Sequence, residues 1–352
     1  MFEKLKSNFF YLKFIKWMIQ KGESKHLKNI VSSFISNFLN LLFLKVYLKI
    51  KGKKIVVINL IEHFGDVIAC EPISRYVRQK FPNDYIIWNI KKSYSELVKY
   101  NPNINKVMTV YCLTEWILLK YFFKYDKIFD LHIQGRICPT CGIPLKKDKS
   151  NLNITLDNYF NFGNIITAFG ATIFLPPIED QPVLYIPEDV KRNIDSLALP
   201  KEYITIHCSS NEAIKNYSNL KWKYVIETII SQHSISIIEI GISSELEISS
   251  SKFINLCNKL SLLETAEVIK RSQIFIGIDS GPAHMANAVG TFGIILLGEF
   301  RNFIRYMPYS GNYMHGKNVT IIYADDGFKA AEINPEIVIN AVNHVLERKR
   351  VL

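Results

Sequence analysis

The sequence predicts an α/β protein made of two successive parallel sheets with helices on both faces, behind a basic, amphipathic helical extension. Three observations carry this. From Lys54 onward, short Val- and Ile-rich runs alternate with helical stretches. The alternation is interrupted by prolines before residue 188 and then restarts. The charge is concentrated ahead of it all. Strands separated by helices imply parallel pairing, because a parallel strand needs a crossover. At 352 residues, 48% of them hydrophobic, the chain is long for a single core, so two domains are expected.

Residues 1–54 hold twelve lysines against Glu3 and Glu23, so nearly all of the net charge of +11 sits there. The rest of the chain is close to neutral. That argues against a nucleic-acid groove across the folded domains, which needs Lys and Arg along their faces. Within the extension, "NIVSSFISNFLNLLFL" (29–44) is uncharged. On a helical wheel Ile30, Val31, Phe34, Ile35, Phe38, Leu39, Leu41 and Leu42 share one face. Asn29, Ser32, Ser33, Ser36, Asn37 and Asn40 share the other. An amphipathic helix flanked by lysines suits an anionic membrane interface. A helix packed on the protein's own surface fits the same pattern. The upstream "NFFYLKFIKWMIQK" (8–21) is aromatic and basic, with faces less cleanly divided. Lys13 and Lys16 interrupt its apolar run and no small-residue cleavage site follows, so a signal peptide is not expected.

Strands are expected at "KIVVINL" (54–60), "YIIWNI" (85–90), "KVMTV" (106–110) and "KIFDLHI" (127–133), with a helix at "DVIACEPISRYVRQKF" (66–81). Pro176, Pro177, Pro182 and Pro187 mark a boundary. The second series runs "YITIHC" (203–208), "ISIIEI" (235–240), "IFIGI" (274–278), "GIILLG" (293–298) and "VTIIY" (319–323), and ends in the helix "PEIVINAVNHVLERKR" (335–350). The expected divisions are 1–53 for the extension, 54–187 and 188–334 for the two sheet domains, and 335–352 for the last helix.

In open parallel sheets ligands bind beyond the carboxyl ends of the strands. The turns there are "LIEHFGDVIACEP" (60–72), "HCSSNEAIKNYSNLKW" (207–222) and "IFIGIDSGPAHMANAVG" (274–290). Neither GxGxxG nor GxxxxGK[ST] occurs, so an ordinary dinucleotide or P-loop site is not expected. At the third turn a strand gives way to a helix whose free N–H groups favour phosphate. Gly281 permits close approach and Pro282 fits a first helical turn. Ser280 suits a cap or an anion contact, and His284 suits a phosphate oxygen. Asp279 repels an anion, so it suits capping, orienting His284 or accepting a sugar hydroxyl. These six residues read equally well as a plain helix cap with a structural histidine.

Three further stretches go with this one. "GIDSGPAHMANAVGTFGIILLG" resembles the donor-site signature of glycosyltransferase family 9, the heptosyltransferase family. "FGDVIACEPISRYVRQKFP", "KNYSNLKW" and "YDKIFDLHIQG" resemble that family's other motifs, in order, over residues 54–300. Asn287 stands where a second Ala is usual, Tyr217 where a first Trp is usual, and a Pro often found before the last strand is missing. The resemblance implies the GT-B architecture: two Rossmann-like domains facing a cleft. It implies inverting, metal-independent transfer of a sugar, typically from ADP-heptose, to a hydroxyl of a surface-glycan or lipid-linked acceptor.

By resemblance Asp66 is the general base, where residue chemistry alone equally allows a helix N-cap. Lys215 then neutralises the donor diphosphate, Ser209 and Ser210 touch phosphate, Glu245 meets the ribose, and His63 and Gly65 stand on the acceptor side. Asp279, Ser280, Gly281 and His284 complete the donor site. Six cysteines are scattered along the chain. "CPTCG" (138–142) resembles half of a zinc knuckle, but there is no second CxxC. Only chance folding of His132 and Cys112 would complete it, so free loop thiols are expected, with no metal and no cofactor. The expected partners are a nucleotide-sugar, the acceptor and an anionic membrane, not nucleic acid. The expected location is the cytoplasmic face of the plasma membrane. Alternatives are another GT-B-like nucleotide-sugar enzyme such as an epimerase, and a silent sugar-nucleotide-binding protein.

Overall fold

The computed structural model describes residues 24–61, 63–145, 153–299, 306–325 and 327–351. The predicted segment 8–21 lies outside them. In chain order the elements are α1 Ser24–Ile50, β1 Ile55–Asn59, α2 Phe64–Ala69, α3 Pro72–Lys80, β2 Tyr85–Lys91, α4 Glu96–Lys99, β3 Lys106–Val110, α5 Leu113–Phe122, β4 Lys127–Asp130 and α6 Ile165–Ala171. Then come α7 Glu188–Ser196, β5 Tyr203–His207, α8 Asn219–His233, β6 Ser236–Glu239, β7 Phe253–Asn255, α9 Leu262–Arg271, β8 Ile274–Ile278, α10 Gly281–Val289, β9 Gly293–Leu297, β10 Val319–Tyr323 and α11 Pro335–Val351.

Two parallel sheets result, ordered β3-β2-β1-β4 and β10-β9-β8-β5-β6-β7. β1, β5, β8 and β9 are buried along their whole length, as their unbroken Val and Ile runs require when helices cover both faces. The order reverses between β1 and β4 in the first sheet and between β5 and β8 in the second. The loops leaving those four strands bear most of the predicted site residues, as crevices at such switch points do.

The predicted helix 66–81 is two helices, α2 and α3. Pro72 has no N–H to give the preceding turn and its ring crowds that turn, so the chain bends at Cys70–Glu71. β7, three residues long at the sheet edge, has no sequence run marking it.

α1 packs on α5 and β3. Its seated strip differs from the apolar face of the wheel. Ile30, Leu41 and Leu48 are buried, but between them the polar Ser33 and Asn37 turn inward. Ser33 Oγ and Asn37 Nδ2 donate to Glu115 Oε1 at 2.9 and 2.7 Å, and Asn37 Nδ2 also donates to the Thr109 carbonyl. Glu115 is fully buried and takes a further 2.6 Å bond from the Tyr111 N–H. The buried carboxyl needs donors, and they come from α1's polar residues. Val31, Ile35, Leu39 and Leu42, from the apolar face of the wheel, point outward with Phe43, Val46 and Ile50. By length and composition α1 could cross a membrane.

Candidate active site

The turn after β1 is fixed by a buried network. The Ile61 N–H donates to His132 Nε2 at 3.3 Å, and His132 Nδ1 lies 2.8 Å from Asp130 Oδ1. Asp130 also accepts from Asn59 Nδ2 and Trp116 Nε1, each at 3.0 Å. His132 is therefore occupied here and is no metal ligand. Beyond this anchor His63 adopts φ +52°, a left-handed conformation unfavourable for a side chain other than Gly and typical of functional turns. α2 starts at once, with Asp66 in its first turn and no side-chain cap bond at its N-terminus, so Asp66 is not a cap.

Arg136, on the loop after β4, reaches both residues. Its guanidinium lies 3.9 Å from Asp66 Oδ2 and 3.4 Å from His63 Nε2. Burial raises the Asp66 pKa from 3.8 to about 6, with Arg136 and Lys215 pulling it down and Asp279 pushing it up.

α10 comes from the other sheet and meets α2 directly. A Cβ on Gly65 would stand 3.1 Å from His284 Cδ2 and 3.2 Å from Gly281 Cα. One on Gly281 would fall 2.0 Å from the Phe64 ring. A Cβ cannot fit at Gly281, and at Gly65 it would fit only if its neighbours gave way by a few tenths of an ångström. This brings Asp66 opposite the N-terminus of α10. Ser280 is the N-cap by backbone, but its hydroxyl makes no cap bond; Oγ lies 3.0 Å from His207 Nδ1 and 3.1 Å from the Ile278 carbonyl. Asp279 does not cap either. Its Oδ2 pairs with Lys215 Nζ at 2.7 Å, and its Oδ1 lies 3.5 Å from the Tyr309 hydroxyl. Burial raises the Asp279 pKa, but Lys215 and His284 outweigh it and hold the carboxyl below its ordinary value. Burial pushes His284 and His207 down to about 4 each, so both rings are neutral at pH 7. The His284 ring packs on Tyr309, 4.8 Å between centroids.

Of the predicted residues, His63, Gly65, Asp66, Lys215, Asp279, Ser280, Gly281 and His284 thus converge. Ser209 is half-buried in the loop after β5. Ser210 serves a local turn with Asn216 and Glu212. Glu245, in the loop after β6, is exposed and accepts from Asn219 Nδ2 at 2.8 Å. Arg136, His207 and Tyr309 were not anticipated. Arg136 was findable, since it follows a strand whose carboxyl end carries ligand-facing loops; Tyr309 lies in a stretch with no motif.

The departures from the family pattern have local causes. Asn287 Nδ2 donates to the Ser310 carbonyl at 2.9 Å, and Gln181 Nε2 donates to the Asn287 carbonyl at 2.5 Å. Asn287 so ties α10 to the segment joining the sheets. Tyr217 packs edge-on to Trp222 and donates to the Ile333 carbonyl at 3.1 Å.

Residues 166–331 match the model of "Glycosyltransferase family 9 (heptosyltransferase)". That segment holds Lys215 and Asp279–His284; Asp66 precedes it. Lipopolysaccharide heptosyltransferase 3 of Escherichia coli is 27% identical over 132 residues, 35% of this chain and 38% of that protein. Lipopolysaccharide heptosyltransferase 1 of Campylobacter coli is 24% identical over 295 residues, 71% of this chain and 86% of that protein. The chain thus spans little more than a third of the first relative and most of the second. Among solved structures, E. coli ADP-heptose lipopolysaccharide heptosyltransferase II superposes with a TM-score of 0.64 at 16% identity, over 84% of this chain and 99% of that one. A family 9 glycosyl transferase of Veillonella parvula gives 0.62 at 16% identity, over 84% and 97%. The fold is GT-B, shared with heptosyltransferases of known structure, and residues 166–331 are similar to glycosyltransferase family 9.

Proposed function

We infer that the chain transfers a sugar, a heptose from ADP-heptose, to a hydroxyl of a surface-glycan or lipid-linked acceptor, with inversion and without a metal in the chemical step. One observation carries the reading: a carboxylate tuned to about 6 stands across the Gly65–Gly281 contact from a helix N-terminus flanked by Lys215 and His284. At pH 7 Asp66 is mostly ionised yet far more basic than an ordinary aspartate, which suits proton removal from an alcohol as it attacks. The acceptor oxygen bonds to the anomeric carbon while the bond to the diphosphate breaks on the opposite face. Asp66 takes the hydroxyl proton, and the diphosphate leaves with the bonding pair. Its growing charge is met by Lys215, by neutral His284 as an N–H donor and by the first N–H groups of α10. Asp279 holds Lys215 in place. Ser209 as a phosphate contact and Glu245 as a ribose contact belong to the same reading.

The outward stripe of α1, from Val31 to Ile50 with lysines at both ends, suits an anionic lipid surface. Because the opposite strip is seated on α5, α1 lies along the interface rather than across the bilayer. In this reading the protein works peripherally, at the cytoplasmic face of the membrane. A donor panel tests the reading: ADP-heptose, GDP-heptose, UDP-GlcNAc and GDP-mannose by thermal shift, then product mass with a lipopolysaccharide-core acceptor. A donor at a hundredfold its Kd adds about 2.7 kcal/mol of stability. No shift with any of the four, and no transfer, would overturn it.

A further inference from the structure

Cys112, Cys138 and Cys141 are all buried, and their sulfurs lie within 4.8 Å of one another. Cys112 comes from the start of α5. Cys138 and Cys141 come from a tight turn after β4, in which the Gly142 N–H donates to the Cys138 carbonyl and the Cys138 N–H to the Ile143 carbonyl, both at 2.8 Å. Gly142, at φ +68°, closes the turn where a side chain would be strained. We propose that these three cysteines bind one zinc ion, a structural site that fastens the 136–145 turn to the N-terminus of α5.

The geometry supports it. Thiolates about 2.3 Å from a tetrahedral zinc stand roughly 3.8 Å apart, and Cys112 Sγ and Cys141 Sγ are 3.9 Å apart. The surroundings suit surplus negative charge. The Thr114 hydroxyl is 1% exposed, has no oxygen or nitrogen partner and faces Cys138 and Cys141. The Thr114 N–H, in the first turn of α5, is directed at Cys138. Three protein thiolates leave a fourth zinc position for an exogenous ligand, with the Thr114 hydroxyl at hand to bond it. The site lies outside the proposed chemistry, but it pins the turn that begins at Arg136, whose guanidinium faces Asp66.

The test uses the full chain, purified under reducing conditions, stripped with a chelator and reloaded with zinc or cobalt(II). Elemental analysis should find about one zinc per chain, and cobalt should give an intense thiolate-to-metal charge-transfer band. Cys112→Ser and Cys138→Ser should each cut the zinc retained after dialysis at least fivefold; Cys70→Ser, buried elsewhere, should not. Wild-type chain that retains no zinc and gives no cobalt–thiolate band overturns the proposal, however the variants fold. So does retention in Cys112→Ser equal to wild type, or a disulfide among the three found by mass spectrometry in unstripped protein.

Discussion

Gly65 and His284 touch across the cleft, a Cβ on the glycine having only 3.1 Å to His284 Cδ2. The two sheet halves are in register because neither α2 nor α10 carries a side chain at their crossing. Gly281→Ala drives a methyl into the Phe64 ring and should destabilise by about 1–3 kcal/mol, read by denaturant melts. Phe64→Ala should relieve most of that in the double variant. Additive losses would show that the ring does not lie on Gly281 in solution. Gly65→Ala meets backbone as well as His284, so it should lower kcat/KM with a smaller effect on melting.

Asp66→Asn should lower kcat about a hundredfold or more while donor binding persists. Wild-type kcat/KM should fall on the acid side with an apparent pKa near 6. Stability moves the other way. The folded pKa lies above the ordinary 3.8, so the folded chain holds the proton longer. The ionised carboxylate therefore costs stability that appears as pH rises through this window and is complete above about 6. The Asn variant should be more stable than wild type by about 3 kcal/mol near pH 8 and level with it near pH 3. Equal melting at both pH values would mean that Asp66 is solvated.

Lys215→Ala should weaken donor binding at least about tenfold, because it removes a charge from the diphosphate and leaves the Asp279 carboxylate unneutralised beside it. Lys215→Ala with Asp279→Asn should recover part of the loss. Titration calorimetry with the donor decides it. A double variant weaker than the single would mean that Asp279 meets the donor itself.

The two sides of α1 should separate by function. Leu39→Glu with Phe43→Glu should abolish flotation with anionic vesicles and leave transfer to a soluble acceptor unchanged. Glu115→Ala strands the donors Ser33, Asn37 and the Tyr111 N–H, and should cost about 2–3 kcal/mol of stability. Vesicle binding that survives the charged pair would remove the outer stripe from the lipid contact.

Much of this was legible. All but one of the strands follow Val and Ile runs, because a strand buried on both faces has few other compositions available. The turn 274–290 and Asp66 were singled out through motif and position at strand ends, and the fold brings them together. Other features were invisible for physical reasons. The helical wheel weighs apolarity alone, so it missed that buried Glu115 calls Ser33 and Asn37 inward. Cys112 lies 26 residues before the CxxC turn, and only the β1–β4 pairing shows that they meet. Arg136 bears on Asp66 through the same pairing.

The segment between the sheets is stitched to both. Arg75 of α3 donates to the Gln181 carbonyl at 2.6 Å, the Val183 N–H donates to Glu71, and Gln181 bonds Asn287 of α10. One continuous set of buried side chains runs from Val56 and Trp88 in the first sheet to Phe275 and Ile295 in the second. Two halves sharing a core cannot melt independently. Heating should give a single calorimetric endotherm with matching van't Hoff and calorimetric enthalpies. A nucleotide-sugar bound to one half should then slow amide hydrogen exchange in the strands of the other, β1 and β4 included.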